Sequence, residues 1–240
     1  TKYMPQWLEN TKQNIQVLKD NGYFNTWNKC QTKSITFHLY PTLILPNNWL
    51  ILRENIYLKN AEKLKVKVPH VDFYVYPSLE FGKSINVVPA TSFVKAKEIH
   101  GHPNQSPGHE LTHILLGEVN STKNLPANGL WSEGVCVYLD GTNTNRRKHV
   151  NSLNYSEEII TMPWRDRKNN LPSNLYPLAG SVIQYLDGSF GWDLVLEFLK
   201  KLQYNNGNEL SIQLFQHSLI ELQQDWHLWL KKEGQPDISG

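Results

Sequence analysis

The sequence predicts an α+β fold, with a small mixed sheet in the first hundred residues and helices over most of the rest. Residues 33–40 alternate polar and apolar side chains and stop at Pro41. Residues 71–76 are β-branched and aromatic and stop at Pro77. From Leu175 onward the apolar residues recur at helical spacing instead. A chain of 240 residues accommodates one large domain or two small lobes with a shared cleft.

Taken in order, residues 5–20 read as a helix. Trp7, Leu8, Ile15 and Leu18 form its partial apolar stripe, and Asn21-Gly22 is the stop signal. His38 falls within the first strand and reads as a strand residue. Residues 50–65 read as a second helix, with Leu52, Ile56, Leu64 and Tyr57 as candidates for its core face. Residues 84–88 and 92–99 read as two more strands. Pro89 lies between them and cannot donate to a ladder, so this part is either a sheet edge or a connecting turn. His100 and His102 follow; alternate residues on a strand share a face, which makes them a rival ligand pair.

Ser106-Pro107 has the form of an N-cap with proline at the first helical position. The helix it opens is expected to reach Leu116, with Gly117 as its cap. Residues 125–130 read as a loop. Residues 131–140 read as a further helix, ended by Gly141. Residues 142–174 are polar and irregular, and Arg165 and Arg167 are their notable charges. Beyond them Leu178, Val182, Ile183, Tyr185 and Leu186 form one stripe. Leu194, Val195, Phe198, Leu199 and Leu202 form another, and residues 210–219 and 221–230 supply two more. Trp226 and Trp229 lie three apart and read as core, with His217 and His227 structural. The expected division is an α+β lobe with an edge strand over 1–103 and a helical lobe over 104–240.

Composition excludes little but excludes it clearly. Hydrophobic residues make up 40% and charged residues 19%, as in an ordinary globular chain. The formal charge of +2 gives no argument for nucleic acid or an anionic membrane. No apolar run approaches the ~18 residues of a membrane span. Cys30 and Cys136 are the only cysteines. An inert buried thiol, a disulfide between them, and a metal ligand at Cys136 all remain open.

The chemistry is concentrated in Gly108-His109-Glu110-Leu111-Thr112-His113. Residues four apart on a helix are neighbours on one face, so His109 and His113 can offer ring nitrogens to one ion. At about 100° per residue, Leu111, Ile114 and Leu115 fall on the opposite side and can anchor the helix. Glu110 lies at the flank, which suits a base acting on an activated water better than a third ligand. Downstream stands Trp131-Ser132-Glu133-Gly134. Two histidines and a glutamate are a standard catalytic zinc set, and Glu133 is the candidate third ligand.

These residues resemble the gluzincin (peptidase MA-like) zinc metallopeptidases, which combine His-Glu-x-x-His with a later Glu followed by Gly in an aromatic-rich helix. The likeness covers roughly residues 70–200. Tyr176-Pro177-Leu178-Ala179-Gly180 resembles the Tyr-x-x-Gly helix start of aminopeptidase-type members, with the glycine one residue late. The resemblance implies a zincin-like fold with the metal site between the two lobes. It implies one catalytic Zn²⁺ on His109, His113 and Glu133, with Glu110 as base and Tyr176 as donor to the developing oxyanion. Tyr138 and Tyr155 are other candidates for that donor. The substrate would be a peptide or protein. The aminopeptidase element Gly-x-Met-Glu-Asn is missing, which favours an endopeptidase with substrate extended along residues 84–99. The resemblance and a mature-looking N-terminus point to an extracellular or cell-surface location. The competing expectations are an inactive zincin-like module that binds metal or peptide, and a hydrolase of another amide.

Overall fold

The computed structural model of this chain describes residues 6–46, 48–119, 129–152, 158–161, 175–203 and 206–231. Most of the loop expected at 125–130, Tyr155, Arg165 and Arg167 lie outside the described residues. The architecture is mixed α+β. In order come α1 (Gln6–Asp20), a 3-10 turn (Tyr23–Thr26), β1 (Asn28–Gln31), β2 (Ile35–Leu39), α2 (Trp49–Leu64), β3 (Val71–Val75) and α3 (Leu79–Ser84). Then follow β4 (Thr91–Phe93), β5 (Glu98–Gly101), α4 (His109–Val119), α5 (Leu130–Tyr138) and α6 (Arg146–Ser152). The last four are α7 (Tyr176–Phe190), α8 (Trp192–Lys201), α9 (Gly207–Phe215) and α10 (Leu219–Lys231). The chain divides into two compact units, Thr1–Leu115 and Leu116–Gly240.

The first unit is built on a five-stranded sheet of order β1-β2-β3-β5-β4. β2, β3 and β5 run parallel, and β1 and β4 pair antiparallel at the two edges. α2 is the crossover between β2 and β3, as parallel neighbours require. Side chains alternate across the sheet. One face carries Phe37 and Phe73, stacked at 5.6 Å, with Trp49 of α2 edge-on to both. The other carries Tyr74 and Tyr76, packed with Phe24, Trp27 and Ile15 of α1.

The polarity of α2 differs from expectation. Leu52 is 45% exposed, while Arg53, Glu54 and Asn60 are buried beside Tyr57 and Leu64. Each buried polar group holds a neighbouring segment. Arg53 donates to the Gln105 carbonyl at 3.0 Å, Glu54 accepts from Thr32 Oγ1 at 2.6 Å, and Asn60 donates to Thr112 Oγ1 at 2.9 Å. These bonds offset the desolvation that polar burial costs. Trp7 is likewise 40% exposed, so the α1 stripe is carried by Ile15, with Leu18 packed against the same cluster.

The strand expected at 84–88 is not formed. Ser78 caps α3 by accepting from the Phe81 N–H at 3.1 Å, and Val87 N–H closes on the Gly82 carbonyl at 2.9 Å. Local capping thus outweighs the apolar run, and Val87 is buried from a turn. The strand expected at 92–99 is broken in two by a turn in which Lys97 has φ 55. The edge strand is therefore the three-residue β4.

In the second unit α5 packs closely on α7, and two glycines permit it. A Cβ at Gly134 would lie 2.7 Å from the Ala179 carbonyl oxygen, and one at Gly180 would lie 2.5 Å from Val137 Cγ1. The glycine after Glu133 thus has a packing reason, close approach of the α7 backbone. Trp226 of α10 is fully buried and donates its indole N–H to Ser181 Oγ of α7 at 3.1 Å. Among the described residues no helix is long and apolar enough to cross a membrane.

Candidate metal centre

α4 begins at His109, with Thr112 N–H bonded to the Gly108 carbonyl at 2.9 Å. The first intrahelical bond is thus accepted at Gly108, two residues after the expected cap at Ser106, and Gly117 lies inside the helix. Leu111, Ile114 and Leu115 are fully buried and anchor the helix. On another face the rings of His109 and His113 lie 5.0 Å apart, inclined by 75°.

One ligand atom from each of His109, His113 and Glu133 lies within 4.8 Å of the others. Glu133 is buried and the two histidines half-buried. Four-coordinate zinc at about 2.1 Å from each donor would set those donors about 3.4 Å apart. Two imidazoles and one carboxylate suit borderline-soft zinc and leave a fourth position for water or substrate. The donor set therefore fits a metal ion. Replacing His113 by Ala is expected to reduce several-fold the metal that the chain takes up when zinc is supplied, read by elemental analysis beside the parent. Undiminished zinc would remove His113 from the ligand set.

Glu110 is not one of the three clustered ligands. The residue is buried, and its Oε1 accepts a hydrogen bond from Gln105 Nε2 at 3.0 Å. Gln105 had no signal in the sequence beyond being a polar residue in a short loop. Tyr176 is half-buried at the start of α7, with Pro177 in the first turn. Tyr138 of α5 donates its hydroxyl to Asp187 Oδ2 at 2.8 Å.

The rival pair is used otherwise. His100 is fully buried, its ring stacked at 4.8 Å on Tyr74, which stacks at 4.3 Å on His38. The register sets these three side by side across β2, β3 and β5. His100 Nε2 lies 2.7 Å from Glu98 Oε1, and Nδ1 lies 2.7 Å from the Tyr76 hydroxyl. An ionised carboxylate can only accept, so Nε2 carries the proton and Nδ1 accepts from Tyr76. Desolvation lowers the His100 pKa, against the pull of Glu98. Desolvation works to raise Glu98, and His100 and Lys19 together hold it below the ordinary carboxylate range. Lys19 of α1 pairs with Glu98, so this network ties α1 to the sheet. His102 is half-buried and outside the ligand cluster. Cys30 and Cys136 are not joined in a disulfide; Cys30 is half-buried in β1 and Cys136 is buried in α5.

Comparison with protein-family models, curated proteins and solved structures finds no significant match.

Proposed function

We propose that this chain is a zinc-dependent metallopeptidase of gluzincin type with a zincin-like arrangement of its catalytic helices. The observation that carries the reading is the convergence of His109, His113 and Glu133, with Glu110 one residue from the first ligand. Held by His109, His113 and Glu133, zinc would supply a Lewis acid that lowers the pKa of a water to about 7 and polarises a carbonyl oxygen. Glu110 would take a proton as the water oxygen adds to that carbonyl and return it to the leaving amine as the C–N bond breaks. Tyr176 donates its hydroxyl proton in a hydrogen bond to the developing oxyanion. The buried aliphatic face of α4 and the bond between Asn60 and Thr112 hold the histidine-bearing turns in place.

We assign internal rather than terminal cleavage, because the sequence lacks the element that holds a substrate amino terminus. An extended peptide can add to the sheet edge at β4, which among the described residues pairs only with β5. The test is mass spectrometry of a peptide library blocked at both ends, incubated with zinc-loaded protein with and without chelator. The expected result is cleavage that chelator abolishes and zinc restores. Cleavage confined to peptides with a free amino terminus would make the protein an exopeptidase. Absence of chelator-sensitive cleavage across free and blocked peptides would overturn the peptidase reading.

A further inference from the structure

Gln105 sits in the loop between β5 and α4, and two bonds from α2 hold this loop. Arg53 donates to the Gln105 carbonyl at 3.0 Å, and Trp49 donates its indole N–H to the Pro103 carbonyl at 3.1 Å. The Arg53 guanidinium itself lies over the Trp49 ring, 3.3 Å from its centre. At the end of β5, a Cβ on Gly101 would stand 2.6 Å from Gln105 Oε1, so the glycine makes room for the amide. The amide is spent on one partner. Its Nε2 donates to Glu110 Oε1 at 3.0 Å, while its own Oε1 is buried with no hydrogen-bond partner among the described residues. An orphaned buried carbonyl is costly, and such groups in native proteins have a reason. Turning the amide over would set its oxygen against a carboxylate, so the donor is held toward Glu110.

We propose that Gln105 is a positioning residue for Glu110: it commits Oε1 of the carboxylate and leaves Oε2 as the oxygen that takes up a proton at the metal centre. This assignment rests on the metallopeptidase reading. A hydrogen bond to a charged group restricts the carboxylate to one orientation, and a base acts efficiently only when it is held in reach of the proton.

The test uses the full chain loaded with zinc and acetohydroxamate as probe. A hydroxamate gives two oxygens to the metal and passes its acidic hydroxyl proton to a nearby carboxylate, so its affinity reads the base without turnover. Gln105→Met keeps length and volume and removes the donor. It is expected to raise the acetohydroxamate Kd about ten- to a hundredfold, the size of a hydrogen bond to a charged group. In a Glu110→Gln background the same substitution is expected to change Kd by less than about twofold, because coupled residues are not additive. Zinc content should not change in either case. Gln105→Glu preserves the shape, replaces the donor with an acceptor, and is expected to behave in the same way. Unchanged Kd in both variants, or equal losses with and without Glu110, would overturn the assignment. Failure of the parent chain to take up zinc or acetohydroxamate would instead overturn the reading beneath it.

Discussion

Glu110→Gln is expected to lower kcat for peptide cleavage by about 10²–10⁴, the usual contribution of a general base, while zinc stays at one per chain. The substitution changes one atom. The amide keeps the volume of the carboxyl and can still accept from Gln105 Nε2, which now lies 3.0 Å from Glu110 Oε1. It cannot take a proton from water, so the loss should fall on kcat, with KM and the thermal midpoint nearly unchanged. His109 and His113 remain to hold the ion with Glu133, and this separates the prediction from ligand removal, in which metal and activity fall together. Steady-state kinetics beside elemental analysis decides it. A variant that cleaves at the parent's rate would show that Glu110 is not the base.

Some of this architecture was legible in the sequence because it follows from local geometry. His109 and His113 share a helical face whatever the rest of the chain does, and Leu111, Ile114 and Leu115 can then only be the buried side. Residues 71–76 contain β3 because a β-branched and aromatic run stopped by proline has few alternatives. Glu133 was legible as the downstream glutamate that completes a standard zinc set, while nothing local to α5 says that its carboxylate meets two imidazoles.

The misses have tertiary causes. β1 is Asn28-Lys29-Cys30-Gln31, an edge strand largely exposed and lacking the alternation that marks half-buried strands. α2 buries Arg53, Glu54 and Asn60, and a polar stripe cannot be told from a solvated face until its partners at Gln105, Thr32 and Thr112 are known. Gln105 is the sharpest case. Its role depends on Arg53, Trp49 and Gly101, which are distant in sequence from it or carry no chemical signature.

Tyr176→Phe is expected to lower kcat by about 10²–10³, or roughly 3–4 kcal/mol in the barrier, if the phenol is the oxyanion donor of the proposed reaction. A tetrahedral adduct carries charge that a metal neutralises in part, and a positioned hydroxyl stabilises that charge more than the ground-state carbonyl. Two features favour Tyr176 over Tyr185. Tyr185 is buried against Phe190 and Trp229, and desolvation, with the Asp225 charge, pushes its pKa up to about 12, as befits a core tyrosine. Tyr176 opens α7 half-buried, one turn before Gly180, where that helix meets α5 and so has a fixed distance to the helix of Glu133. Phenylalanine keeps the ring, its packing beside Pro177 and the helix start, and removes only the hydroxyl. The drop should therefore appear in kcat, with KM and the thermal midpoint nearly unchanged. Unchanged kcat, or a loss wholly accounted for by lowered stability, would return Tyr176 to the core and leave the oxyanion to another donor.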